Sequence, residues 1–230
     1  LSPLHESLKQ EIFQCFPCGI IELYGLTEGI ITTLEPEDAE GRWSSVGTPL
    51  IGTDICIVDD GDQVLGPNQS GEVVSRGRIS MPGYWGRDEA NIEAEFTDAN
   101  GVQWLRSGDI GYVDEQGFLY IVDRKKDMVL SGGQNIYPQD IEAVLVENLK
   151  VDDVAVIGLP SKRWGETPVA LVVPLGEDAD EQEVLSWANG KLGKQQRLAD
   201  VIFVEELPRN PNGKILKREL RQEYGDCDYD

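Results

Sequence analysis

The period of the apolar pattern changes near residues 123–127, and that change constrains the chain to two structural parts. From about residue 42 to 123, apolar and polar residues alternate, as across Thr53-Asp54-Ile55-Cys56-Ile57-Val58. Period two is the mark of half-buried strands. Gly71-Glu72-Val73-Val74 opens another strand, and Asp114-Glu115-Gln116-Gly117 is a turn between two apolar runs, so residues 110–122 read as a hairpin. This stretch is expected to be all β. Ahead of it the pattern predicts a helix over 3–16, a short strand over 19–24 and a loop.

After residue 126, strands and helices alternate. Pro138 suits a first helical position, with Asp140 and Glu142 favourable in the first turn. Ile141, Val144, Leu145 and Leu149 fall on one helical face. Asp180 and Glu183 have capping-box spacing ahead of the apolar stripe Val184, Leu185, Trp187 and Ala188. Strands are predicted over 154–157, 168–173 and 201–204. The fold class is therefore α+β in two parts: residues 1–125, β-rich from about 42, and a small α+β domain over 126–230.

Hydrophobic residues make up 40% of the 230, enough for real cores, and no apolar run reaches membrane-spanning length. Residues 1–30 lack a basic stretch followed by an apolar one, so no signal peptide is expected. A net charge of −22 argues against nucleic acid as a partner. Basic residues nevertheless gather at Arg124, Lys125 and Lys126, and at Lys214, Lys217, Arg218 and Arg221, so local positive potential can coexist with an acidic exterior. Cys15 and Cys18 have C-x2-C spacing. There is no second pair and His5 is the single histidine, so the two thiols read as small buried residues in a reducing, cytoplasmic setting.

Three segments carry chemistry. Tyr24-Gly25-Leu26-Thr27-Glu28-Gly29 joins an aromatic ring, a hydroxyl and a carboxylate. Leu105-Arg106-Ser107-Gly108-Asp109 leads through Asp123-Arg124-Lys125-Lys126-Asp127 to Ser131-Gly132-Gly133. Asn210-Pro211-Asn212-Gly213-Lys214 holds an ammonium on a tight turn before a helix. Read singly, these are a strand end, an Asx-type turn, an exposed charge run and surface loops.

In this order and spacing they resemble the adenylate-forming enzymes: acyl-CoA synthetases, aryl-CoA ligases, firefly-type luciferases and peptide-synthetase adenylation domains. The resemblance covers essentially the whole chain. It implies that residues 1–125 are the tail of a large nucleotide-binding domain with a distorted β-barrel, and that 126–230 form a mobile lid hinged at Lys126. It implies ATP, Mg²⁺ and CoA as ligands, and a small carboxylic acid as substrate. Tyr24 would stack on adenine and Gly25 would let backbone approach the nucleotide. Thr27 would reach the α-phosphate, and Glu28 would hold Mg²⁺. Asp109, reinforced by Arg124, would bind the ribose hydroxyls. Gly132 and Gly133 would line a thiol tunnel, and Lys214 would contact the α-phosphate during adenylation. Lys125 reads as a solvated cation, and Lys217 and Arg218 as a solvated helix face or as weak help with CoA phosphates.

The family's phosphate-binding loop, rich in Ser, Thr and Gly and ending Pro-Lys, has no counterpart here; Ser44-Ser45-Val46-Gly47-Thr48-Pro49 lacks the Lys. The chain therefore reads as the C-terminal portion of a longer acyl-CoA synthetase, inactive by itself. The alternatives are a non-catalytic nucleotide-binding or lid module, a luciferase-like oxygenase and a peptide-synthetase adenylation domain.

Overall fold

A computed structural model describes residues 6–176, 178–211, 213–227 and 229. His5, Asn212 and the start of the first expected helix lie outside the described residues. The chain divides into two compact units at Lys125/Lys126, and the fold class is α+β.

In the first unit, helix α1 (Glu6–Cys15) precedes the hairpin of β1 (Glu22–Leu26) and β2 (Ile30–Leu34), and β2 also pairs with β3 (Thr48–Pro49). Residues 30–34, expected as loop, are a strand. Their β-branched run Ile-Ile-Thr-Thr pairs antiparallel with β1, and Ile30, Thr32 and Leu34 are buried. Lys9 is buried too. Its ammonium forms an ion pair with Glu22 and donates to the Trp43 carbonyl at 2.6 Å, fastening α1 to the hairpin. Cys15 and Cys18 are exposed, contrary to expectation, because α1 ends at Cys15 and the following turn faces solvent.

A five-stranded sheet follows, built from β4 (Thr53–Val58), β5 (Gly71–Gly77), β6 (Glu95–Thr97), β7 (Gln103–Val113) and β8 (Leu119–Arg124). The long β7 pairs with β5 along one edge. Along the other it pairs first with β6 and then with β8. Register shifts at Glu72/Val74 and Ile110/Gly111 curl the sheet. Asp114 Oδ1 accepts from the Gln116 and Phe118 amides, both at 2.9 Å, closing the expected β7–β8 turn. The all-β expectation fails at α2 (Asp88–Ala94), a short helix with an acidic first turn and no buried residue. With nothing apolar anchoring it, α2 leaves no amphipathic trace in the sequence.

The second unit is a sheet covered on both faces. β9 (Val129–Ser131) and β10 (Gln134–Ile136) form a hairpin at one edge. β11 (Val151–Ser161) pairs with β12 (Gly165–Pro174), which also takes β13 (Asp200–Phe203) in parallel. Helices α3 (Pro138–Leu145) and α4 (Glu181–Lys191) pack Ile141, Leu145, Val184 and Ala188 against Val154, Val156, Ala170 and Val172. The opposite face of the same strands, Ala155, Ile157, Leu159, Val169 and Leu171, receives Leu207 and Leu220, the latter from α5 (Lys217–Tyr224). Burial on both faces explains the unbroken apolar runs of β11 and β12. Pro160 is tolerated because β11 is an edge strand.

Leu149 does not share the α3 face: the helix stops at Leu145, and Leu149 is 90% exposed. The α4 cap is half of a capping box. Asp180 Oδ1 accepts from the Glu183 amide at 2.9 Å, while the Glu183 carboxylate pairs with Lys150 at 2.8 Å.

Candidate functional site

The β1–β2 hairpin and the β7–β8 hairpin bring Tyr24, Asp109 and Arg124 together. Asp109 and Arg124 are cross-strand partners, and Arg124 Nε lies 2.6 Å from Asp109 Oδ1. Tyr24 donates its phenol proton to Asp109 Oδ2 at 2.5 Å, and its ring packs with the cluster of Ile57, Val73 and Leu119. Asp109 is 2% exposed, and its backbone amide donates to Ser107 Oγ at 2.9 Å. Burial, followed by the charge and hydrogen bond of Asp109, pushes the Tyr24 phenol well above the usual tyrosine range. The result is a buried carboxylate with a guanidinium and a phenol among its partners.

At the turn of the first hairpin, Thr27 Oγ1 donates to Glu28 Oε2 and the Tyr84 hydroxyl donates to Glu28 Oε1, both at 2.9 Å. Burial acts against the charged form of Glu28, but the Thr27 and Tyr84 hydrogen bonds and the Arg124 charge outweigh it and lower its pKa. Gly25 has a packing reason of its own: a Cβ there would lie 2.5 Å from the Ile30 carbonyl oxygen. Tyr84 escaped the sequence reading. Its signal is an aromatic pair, Tyr84-Trp85, between Gly83 and Gly86 on an exposed loop.

The basic clusters are largely paired with acids, and three residues read as solvated or available are engaged. Lys125 Nζ lies 3.0 Å from the buried Glu72 carboxylate, which also takes Arg106 at 2.9 Å. Lys217 Nζ lies 2.7 Å from Glu142, with only 13% of its side chain exposed. Arg221 pairs with Asp127 at 2.9 Å. These acids are distant in sequence, so the cations look solvated in the linear chain. Lys126 and Arg218 are exposed.

Gly132, Gly133 and Lys214 belong to the second unit. Gly132 and Gly133 have φ of 57° and 80°, the left-handed region that turns β9 into β10. A Cβ on Gly132 would meet the Trp164 ring at 2.9 Å, whereas one on Gly133 meets nothing within 4 Å. Within this unit, backbone conformation is what requires glycine at 133. Lys214 is half-buried; its amide donates to Asn210 Oδ1 and its carbonyl accepts from the Asn210 amide, both at 2.9 Å. The Arg209–Ile215 bridge closes the same turn before α5.

Residues 2–85 match the AMP-binding enzyme family, and residues 140–214 match the AMP-binding enzyme C-terminal domain. The long-chain-fatty-acid–CoA ligase FadD13 of Mycobacterium tuberculosis is 41% identical over 225 residues, covering 97% of this chain and 43% of that protein. The 2-succinylbenzoate–CoA ligase of Geobacillus kaustophilus is 38% identical, covering 96% of this chain and 43% of its own length. Among solved structures, ATP-bound MatB from Rhodopseudomonas palustris superimposes with a TM-score of 0.88 at 33% identity, covering 98% of this chain and 44% of that one. The chain belongs to the AMP-binding, adenylate-forming enzyme family. It spans less than half the length of the curated relatives it matches.

Proposed function

We propose that the protein carrying this chain is an ATP-dependent acid–thiol ligase of the acyl-CoA synthetase type. A carboxylate attacks the α-phosphorus of ATP, the bond to pyrophosphate breaks, and an acyl-adenylate forms. The CoA thiolate then attacks the acyl carbon and AMP leaves.

The observation that carries this reading is the convergence of Tyr24, Asp109 and Arg124 beside the Thr27–Glu28 turn. A carboxylate offers about four acceptor positions, so Asp109 can serve vicinal ribose hydroxyls in addition to its present donors. The Tyr24 ring supplies a flat face for adenine. Glu28 fits a magnesium site: it is an oxygen ligand held ionised, and Mg²⁺ is commonly bound through one or two carboxylates plus substrate phosphates. When bound there, the cation would offset charge on the phosphate oxygens. Thr27 offers a hydroxyl to the α-phosphate. Lys214 supplies positive charge as the pentavalent transition state develops, and losing such a preplaced donor typically costs roughly 10²–10³ in rate. Lys126 is the backbone pivot between the two half-reactions, and the Gly132-Gly133 turn lines the path of the thiol. A cytoplasmic setting, where ATP and CoA are both at hand, fits this reading. The name of the fatty-acid relative makes long-chain acids the first substrates to try.

Pyrophosphate exchange across a panel of carboxylic acids, on the protein as encoded, tests the reading. Lys214→Ala should abolish exchange and spare thioester formation from supplied acyl-adenylate. Equal loss of both steps would refute the role given to Lys214, and the absence of exchange with any acid would refute the ligase reading.

A further inference from the structure

The segment following β5 is fastened to the Glu28 turn at three points. The Met81 amide donates to the Glu28 carbonyl at 2.8 Å. Gly29, with φ of 118°, lies so close to Ile79 and Ser80 that a Cβ would come within 2.5 Å of their backbone. The Tyr84 hydroxyl donates to Glu28 Oε1 at 2.9 Å. Tyr84 is itself gripped from α2: its amide donates to Asn91 Oδ1 at 2.6 Å, and Asn91 Nδ2 donates back to its carbonyl at 3.1 Å. Two hydroxyls, from Thr27 and Tyr84, therefore each take one oxygen of a single carboxylate and leave its remaining lone pairs for a ligand.

We propose that Tyr84 is a positioning residue for Glu28: its phenol proton fixes the carboxylate orientation in which Glu28 meets a divalent cation bound to nucleotide phosphates. The inference rests on the reading of Glu28 as the magnesium ligand. Thr27 precedes Glu28 directly and moves with the same turn, so it cannot hold the carboxylate against rotation of that turn. Tyr84 reaches it from a separate segment, braced by a helix, and supplies the external reference. α2, which buries no side chain, thereby acquires a role: Asn91 anchors the aromatic that orients the metal ligand.

The test is Tyr84→Phe, which removes one oxygen from a side chain already 36% exposed. Mn²⁺ binding in the presence of ATP, followed by electron paramagnetic resonance, should weaken roughly tenfold, the lower end of what a lost ligand-orienting bond costs. The Mg²⁺ concentration for half-maximal pyrophosphate exchange should rise by a similar factor, with the rate at saturating Mg²⁺ retained. Thioester formation from supplied acyl-adenylate should not change. Glu28→Gln is the comparator. Full Mn²⁺ affinity in Tyr84→Phe, alongside weakened binding in Glu28→Gln, overturns the proposal and leaves the ligase reading standing. Full affinity in Glu28→Gln overturns the metal assignment itself. A uniform fall in exchange at every Mg²⁺ concentration also overturns the proposal, because orientation of a ligand is compensated by excess cation. Should Tyr84→Phe melt more than about 5 °C early, Asn91→Ala carries the same test, with weaker Mn²⁺ binding expected and unchanged binding refuting.

Discussion

Truncating Leu220 to alanine should undock α5 and with it the turn that carries Lys214. An eight-residue helix has no stability of its own in water, so α5 is held by its contacts. Leu220, 2% exposed, is the one fully buried side chain of the helix and packs with Leu207 on the outer face of β11 and β12. Leu→Ala at such a site costs about 3 kcal/mol or more. The two ion pairs of the helix contribute less. Lys217–Glu142 has side chains 13% and 20% exposed, and Arg221–Asp127 has 28% and 11%. Partial solvent screening leaves each worth about 1 kcal/mol.

For a unit of this size, 3 kcal/mol corresponds to a fall in Tm of roughly 12–20 °C if α5 leaves cooperatively with the sheet. Differential scanning fluorimetry reads that shift. Hydrogen exchange should show the largest loss of protection at 217–224, and smaller changes in the centres of β11 and β12. Lys217→Met should lower Tm by less than half as much. A Leu220→Ala protein melting within about 3 °C of the parent, or a Lys217→Met protein losing more than Leu220→Ala, would refute the ranking of apolar burial over ion pairing at this helix.

Asp109→Asn should weaken AMP binding measured by calorimetry by roughly tenfold or more, since it replaces a charge-assisted acceptor with a neutral amide facing Arg124; unchanged affinity would dissociate Asp109 from the nucleotide. Burial, then the Asp98 charge, pushes the Cys56 thiol up to about 11, so at pH 8 it should react with an aromatic disulfide reagent far more slowly than the exposed Cys15, Cys18 and Cys227. Because the folded pKa is raised, the native state keeps this proton longer than the unfolded chain. The Cys56 contribution to stability is therefore present below the ordinary value of 9.0 and declines as pH climbs toward about 11, which urea titrations at pH 8 and 10 would detect. Lys126→Pro fixes φ near −65° and restricts Lys125, so it should slow one half-reaction, most directly thioester formation, while leaving pyrophosphate exchange intact; parental rates for both would remove Lys126 as the pivot.

The elements legible in the sequence were those with a periodic apolar signal and a local punctuation mark. The Asp114 turn and the Asp180 cap of α4 each join a side chain to backbone within a few residues, and Pro138 presets φ at the first position of α3. The elements that stayed hidden lack one of these. Helix α2 buries no residue, β2 follows β1 across a turn of only a few residues, and Leu149 continues a helical spacing that the backbone does not follow. The site shows the same division. Tyr24, Thr27, Glu28 and Asp109 stand in recognisable segments, whereas the acids that engage Lys125, Lys217 and Arg221 are visible only once long-range pairing is known.

The Asp109–Arg124 pair shows why residue identity alone does not specify the cluster. From the turn, β7 and β8 pair as Val113 with Leu119, Tyr112 with Tyr120 and Gly111 with Ile121. Continued without interruption, that register would set Asp123 opposite Asp109, two carboxylates on one face, which is unfavourable. The strands instead shift by one residue: Ile110 faces Asp123 and Asp109 faces Arg124, with Val122 as the extra residue. Asp123 is 2% exposed and its Oδ1 accepts from the Arg124 amide at 2.7 Å, so it serves the backbone at the bulge. The bulge exchanges a repulsive neighbour for a guanidinium, and it turns a strand carboxylate into the anchored acceptor on which the nucleotide reading depends. Gly111 adjoins the shift, and a Cβ there would lie 2.5 Å from the Tyr120 carbonyl oxygen. The close strand approach beside the bulge therefore has a sequence requirement, but one that becomes readable only when the pairing is known.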